Sequence, residues 1–105
     1  MKFEFSPHVA FQVKEYDKAV AFYKDVLGME EVSSSANESH LKCGPLNFYV
    51  ENSDGGFTFF EFKVESVARA LELLESNGCR VTHTYSEKSI MFADPYGMRF
   101  HIWEE

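Results

Sequence analysis

A strand-helix pattern occurs twice in this chain of 105 residues, and the repeat limits the possible folds more than any single residue does. In the first copy, HVAFQVKEYDKAVAFYKDVLGM, which starts at His8, the residues Val9, Phe11 and Val13 alternate as in a strand with one buried face. The second copy, FTFFEFKVESVARALELLESNGC, starts at Phe57. A single strand-helix unit cannot bury its apolar face alone, so the repeat indicates a duplicated module. The alternative is that two unrelated strand-helix units look alike by chance.

Each copy also carries signals for the two ends of its helix. Asp17 and Ser66 are the predicted N-caps, because their side chains can accept hydrogen bonds from the free N–H groups of a first turn. Gly28 and Gly78 are predicted to end the two helices. The apolar residues between these signals recur at the spacings of three and four that are typical of an amphipathic helix.

Three short strands are predicted after each helix. They are MEEVSSS, SHLKC and the 46–51 segment in the first half, and the 80–85, 89–92 and 98–103 segments in the second half. The linker NSDGG separates the halves, and a type I turn at DPYG precedes the last strand. The prediction is one α+β domain over residues 1–105, with β-α-β-β-β modules at 6–51 and 57–105. The register of the 46–51 strand stays open.

Composition excludes several function classes. The net charge of −7 and the absence of any Lys or Arg run argue against nucleic acid, and favour a cationic partner unless the charge serves solubility alone. Cys43 and Cys79 form no C-x-x-C pair, so we expect reduced thiols and a cytoplasmic protein. No segment is apolar enough for a membrane span or a signal peptide. No G-x-S-x-G motif and no glycine-rich loop supports nucleophilic catalysis or nucleotide binding.

Three pieces of the sequence carry a family resemblance: His8 at the start of the first strand, the run FYKDVLGM, and the segment DPYGMRFHI. With the duplicated module, they resemble the vicinal oxygen chelate superfamily, which includes glyoxalase I, extradiol dioxygenases and bleomycin-type antibiotic-binding proteins. The resemblance covers nearly the full length. It implies that the two modules form a curled mixed sheet around a cleft.

The resemblance also implies candidate metal ligands. Metal-dependent members place ligands on the first and last strands of each module, and His8 and His101 match two of those positions. Glu51 is a third candidate for a divalent cation, whereas Phe57 stands at the fourth position and cannot bind one. A metal-dependent lyase or dioxygenase would use His8, Glu51 and His101. Because the set is incomplete, the favoured interpretation has no catalytic metal site.

Without a metal, the cleft becomes a site for a planar or cationic small molecule, such as an antibiotic. The predicted ligand-binding residues are His8, Tyr49, Glu51, Phe57, Phe59, Glu61, Arg99, His101 and Trp103. For Trp103, the edge of a pocket and the interface of a homodimer both remain open. His40 and His83 are interpreted as surface residues on an edge and a loop. A third possibility is a degenerate domain that only mediates interactions.

Overall fold

The computed structural model describes all 105 residues and contains eight strands and two helices. The elements of the first half are β1 (Phe3–Val13), α1 (Tyr16–Asp25), β2 (Glu30–Ser34), β3 (Glu38–Cys43) and β4 (Leu46–Asn52). Those of the second half are β5 (Thr58–Val64), α2 (Val67–Ser76), β6 (Arg80–Ser86), β7 (Ser89–Ala93) and β8 (Arg99–Trp103). This order confirms the α+β class and the two β-α-β-β-β modules. Neither helix is long and apolar enough to cross a membrane.

The chain forms two compact units. We call residues Pro7–Thr58 the first unit, and residues Met1–Ser6 together with Phe59–Glu105 the second unit. In the first unit the strand order is β2-β3-β4-β1, with β1 and β4 parallel and the other pairs antiparallel. The pairing of β1 with β4 sets Ala10 opposite Tyr49 and Gln12 opposite Glu51. This register was left open by the sequence.

The core of the first unit forms between α1 and one face of its strands. Its buried residues are Tyr16, Leu41 and Val50. The Tyr16 hydroxyl donates to the carbonyl oxygen of Ser35 at 2.9 Å and shares a 2.5 Å hydrogen bond with the buried Ser39 hydroxyl. A buried hydroxyl that found no such partner would be costly, so these bonds fix Tyr16 in the core.

The buried Tyr16 also explains why the predicted N-cap of α1 is wrong. The helix begins at Tyr16, its N-cap is Glu15, and the Glu15 side chain makes no capping hydrogen bond. Asp17 lies inside the first turn, where its negative charge interacts favourably with the positive end of the helix dipole. The helix also ends at Asp25 rather than at Gly28, which adopts a positive φ of 75° beyond it.

The second unit has the strand order β5-β8-β7-β6, with β5 and β8 parallel. One face of these strands packs against α2. The buried residues of this core are Val64, Val67, Ala70, Ile90, Phe92, Phe100 and Ile102. Because successive strand residues point to opposite faces, Ser89 next to Ile90, His101 next to Phe100, and Glu61 next to the core-packed Phe62 lie on the face away from α2. We call this face the distal face of the second unit.

Ser66 is the N-cap of α2, as predicted. Its hydroxyl accepts a 3.2 Å hydrogen bond from the backbone N–H of Arg69. We expect Ser66→Ala to lower the free energy of unfolding by about 1 kcal/mol, because that N–H loses its acceptor. Glu15→Ala, at a cap without such a bond, should change it by less than about 0.5 kcal/mol. Urea unfolding of both variants measures the difference, and equal losses would contradict the assigned cap.

The DPYG segment makes the turn between β7 and β8. A carboxylate oxygen of Asp94 accepts hydrogen bonds from the backbone N–H groups of Tyr96 at 2.9 Å and Met98 at 2.8 Å. Gly97 has a φ of 105°, a conformation that other residues rarely adopt. The turn thereby directs the chain into β8, which carries His101 and Trp103.

Candidate ligand-binding face

His101 is the centre of a hydrogen-bonded row on the distal face of the second unit. Glu61 stands directly opposite it on β5, and one Glu61 carboxylate oxygen lies 3.1 Å from His101 Nδ1. On the other side, the Ser89 hydroxyl on β7 lies 2.6 Å from His101 Nε2. The row therefore crosses three adjacent strands, and both ring nitrogens of His101 have partners within the unit.

These partners assign the proton on the His101 ring. A carboxylate has no proton to donate, so Nδ1 carries the hydrogen and donates it to Glu61. In the neutral ring the lone pair of Nε2 then accepts the hydrogen bond from the Ser89 hydroxyl. The side chains of His101 and Glu61 are 23% and 24% exposed. The row is thus both ordered and reachable from solvent.

Trp103 lies on the same face, two residues beyond His101 on β8. Its indole N–H donates to the Ser6 hydroxyl at 3.2 Å, and the Lys63 ammonium lies 5.3 Å from the centroid of its ring. Lys63 also pairs with Glu105 at 2.6 Å. The ring is therefore held in one orientation and already contacts a cation.

On the first unit, the strand face away from α1 carries a cluster of three rings, of which two are stacked. Tyr49 packs against His40 with ring centroids 4.6 Å apart and a 17° interplanar angle, and its centroid lies 5.5 Å from that of His8. His40 Nε2 forms a 2.7 Å hydrogen bond with the Asn47 side-chain oxygen. His8 Nδ1, in contrast, is buried and has no hydrogen-bond partner.

His40 and His83 lie at positions that differ from those predicted. His40 lies on β3, which has β2 and β4 as neighbours on its two sides, and it is half-buried rather than at an edge. His83 lies within strand β6 rather than in a loop, with its ring 4.4 Å from that of Tyr85. His83 is exposed, as predicted for a surface residue.

Glu51 lies on the same face of the first unit, opposite Gln12 on β1 and Glu38 on β3. Burial raises the pKa of its carboxyl above the usual 4.5, and the Glu38 carboxylate raises it further, while a hydrogen bond with Gln12 partly lowers it. The folded protein therefore binds a proton at Glu51 more readily than the unfolded chain does. This contribution to stability is present below the unfolded pKa and is lost as pH rises through the folded pKa.

Glu51→Gln should consequently stabilise the protein at pH 7, because the variant carries no charge next to Glu38. The advantage should shrink as pH falls through the raised pKa of Glu51, and it should be lost below about 4.5, where the parent Glu51 is protonated in both the folded and the unfolded state. Urea unfolding at a series of pH values measures the difference in stability between Glu51→Gln and the parent. Glu72→Gln, on the exposed side of α2, is the matched control. A gain that is the same at every pH would contradict this account of Glu51.

The structure places the predicted ligand-binding residues in two groups. The first unit contains His8, Tyr49, Glu51 and Phe57. Phe57 is fixed through its backbone, which donates to the Gln12 side chain at 3.3 Å and accepts from the Gln12 N–H at 2.9 Å. The second unit contains Phe59, Glu61, Arg99, His101 and Trp103, with Phe59 opposite Arg99 and Glu61 opposite His101. Ser89 belongs beside them and was not predicted.

The proton on His101 Nδ1 is donated to Glu61, and the Ser89 hydroxyl occupies the Nε2 lone pair. A metal ion could therefore bind at Nε2 only by displacing Ser89. His8 does keep one nitrogen without a partner. Neither unit brings together three or more His, Cys, Asp or Glu side chains in an arrangement for a metal ion.

Comparison with known proteins identifies the family. Residues 6–102 match the sequence model of the family described as the glyoxalase/bleomycin resistance protein/dioxygenase superfamily. The chain belongs to this superfamily. The match covers both modules of this glyoxalase-superfamily protein, including β1 with His8 and β8 with His101. No curated protein matches the chain.

Solved structures share its fold at low sequence identity. A glyoxalase/bleomycin resistance protein/dioxygenase superfamily member from Vibrio splendidus 12B01 is 15% identical with a TM-score of 0.67, over 98% of both chains. The Mn(II)-bound glyoxalase from Novosphingobium aromaticivorans is 24% identical with a TM-score of 0.69. Homoprotocatechuate 2,3-dioxygenase from Brevibacterium fuscum, in complex with 3,4-dihydroxyphenylacetate, is 19% identical with a TM-score of 0.74.

The coverage differs among these structures. The present chain aligns over 96% of its length with only 38% of the Novosphingobium glyoxalase, and over 99% with only 37% of the dioxygenase. At these sequence identities the similarity shows a shared fold only, and the activity of this superfamily member depends on its own residues.

Proposed function

We propose that this protein binds a small organic molecule on the distal face of the second unit, without a catalytic metal ion. The observation that carries the proposal is the state of His101, whose two nitrogens are both committed to Glu61 and Ser89. A histidine held in this way keeps a fixed ring orientation, so a ligand can pack against it without further ordering of the side chain. Such preorganisation lowers the entropic cost of binding.

The neighbouring residues favour a ligand with a flat ring and a positive charge. Trp103 is held by Ser6 and offers an aromatic surface, and Glu61 contributes a partly exposed carboxylate. A bound cation would compete with Lys63 for the Trp103 ring. The net charge of −7 would also attract a cationic ligand over longer distances.

Titration of the intrinsic fluorescence tests this proposal, because Trp103 is the only tryptophan. Planar cations such as acridinium dyes should change the emission with saturable binding, and planar anions of similar size should bind more weakly. Glu61→Gln should weaken cation binding about tenfold, the equivalent of about 1.4 kcal/mol, while Glu72→Gln should leave it unchanged. No response across both panels would reject the proposed ligand site.

A metal-dependent lyase or dioxygenase is the alternative, and the unpartnered Nδ1 of His8 is the observation that favours it. That reaction class would use His8, Glu51 and His101. It predicts one bound divalent ion per chain in protein purified without chelators, lost in both His8→Ala and His101→Ala. The proposal without metal predicts no such ion. A third alternative, a domain that only mediates interactions, predicts neither ligand nor metal binding.

We further propose a cytoplasmic homodimer. The free thiols of Cys43 and Cys79 are consistent with a reducing compartment. Exposed apolar side chains at the C-terminal end of α1, namely Phe22, Val26 and Leu27, offer a surface that a second copy could cover. Light scattering that gives the mass of a monomer at micromolar concentration would reject the dimer.

A further inference from the structure

The row of Glu61, His101 and Ser89 has the order of groups that activates a serine for nucleophilic attack. A nucleophile, a base within hydrogen-bond reach, and a third group that orients the base are the parts of such a site. Here Ser89 Oγ lies 2.6 Å from Nε2, and Nδ1 lies 3.1 Å from the Glu61 carboxylate. The three residues come from β7, β8 and β5, so only the folded unit assembles them.

We propose that Ser89 is a reactive nucleophile that accepts the acyl group of an activated aryl ester. The hydrogen-bond pattern leaves the Nε2 lone pair directed at the Ser89 hydroxyl, which is the arrangement a general base needs. The Glu61 carboxylate then stabilises the positive charge that His101 acquires. This activity goes beyond the ligand binding proposed above, although it uses two of the same residues, Glu61 and His101.

Access to the row is consistent with an aryl ester as the substrate class. Ser89 is partly exposed, in contrast to the four residues that follow it on β7, which are buried. The ring of Tyr85, which is 62% exposed, lies 5.9 Å from that of His101 with an interplanar angle of 80°. An aryl group could pack against this tyrosine while the ester carbonyl approaches Ser89.

The step balances without any further reagent. Ser89 Oγ attacks the ester carbonyl carbon while its proton moves to His101 Nε2, and the bond from that carbon to the phenolic oxygen breaks. The proton passes from Nε2 to the departing phenolate, which leaves an acyl ester on Ser89. Water then attacks this ester with His101 again as the base, and it releases the carboxylic acid and the free serine.

The test uses 4-nitrophenyl acetate and the full chain. We expect a burst of 4-nitrophenol that approaches one equivalent and an acetyl group on the peptide that contains Ser89, identified by mass spectrometry. Ser89→Ala should abolish the burst, His101→Gln should slow it roughly 10²- to 10⁴-fold, and Glu61→Gln at least about tenfold. Ser86→Ala and His83→Gln on the neighbouring strand β6 are the matched controls and should retain the parent rate.

Circular dichroism on each variant separates loss of reactivity from loss of fold. If the three residues only stabilise the strands, the folded parent will form no acetyl-Ser89, and that result would also overturn the proposal. Acetylation confined to lysines or the N-terminal amine, at the same rate in Ser89→Ala, would overturn the proposal. Because the ester is a defined probe, this outcome is independent of whether planar cations bind near Trp103.

Discussion

Phe92→Ala is expected to lower the free energy of unfolding by about 3–5 kcal/mol, the range for removing a buried aromatic ring. Phe92 has no exposed surface and stacks on Phe100 with ring centroids 5.7 Å apart and an interplanar angle of 15°. Its loss removes apolar burial, leaves a cavity between β7 and α2, and removes the ring-ring contact. The free energy of unfolding of a natural domain is only about 5–15 kcal/mol in total. A loss of this size should therefore bring the variant close to unfolding.

Urea unfolding followed by circular dichroism measures the effect of Phe92→Ala. Tyr96→Ala is the control, because it also truncates an aromatic side chain but at a position that is 92% exposed. We expect the control to change the free energy of unfolding by less than about 0.5 kcal/mol. Comparable losses in the two variants would mean that Phe92 is not in the core.

Leu41→Ala is expected to be the second large effect, with a loss of about 2–5 kcal/mol. Leu41 has no exposed surface and belongs to the core of the first unit together with Tyr16 and Val50. It stands opposite Phe48 on β4, so its truncation also weakens a cross-strand contact. The cavity would lie close to the Tyr16 hydroxyl and its hydrogen bond to Ser39.

The matched control for Leu41→Ala is Leu27→Ala, which makes the same chemical change at a side chain that is 52% exposed. It should lower the free energy of unfolding by less than about 0.5 kcal/mol. Urea unfolding of the two variants under one set of conditions gives the difference directly. If the control lost as much as Leu41→Ala, α1 would not be packed on the strands as described.

The order of the elements could be predicted from the sequence because local patterns determine it. Alternation marks β4 and β8, the spacings of three and four mark α2, and Ser66 is a cap whose partner lies three residues away. The start of α1 could not be predicted in this way. It depends on the burial of Tyr16, which is stabilised by Ser39, 23 residues further along the chain.

The residues of the candidate site also divide into those that local patterns predict and those that depend on long-range strand pairing. The position of His101 follows from the DPYG turn and the strand after it, and Glu61 follows from the repeat. Ser89 was missed because its relation to His101 requires the pairing of β7 with β8, and no spacing in the sequence encodes that pairing. The position of His40 was wrong for a similar reason, since the place of β3 inside the strand order is a long-range property.

The proposed function depends most on His101 being committed to Glu61 and Ser89 rather than to a metal ion. The ¹⁵N spectrum of the imidazole rings tests this directly, with His101→Gln identifying its signals among those of the four histidines. We predict a proton on Nδ1 and an Nε2 that accepts a hydrogen bond, unchanged when one equivalent of Zn²⁺ is added. A proton on Nε2 instead, or a Zn²⁺-dependent shift of the His101 nitrogens, would contradict the account.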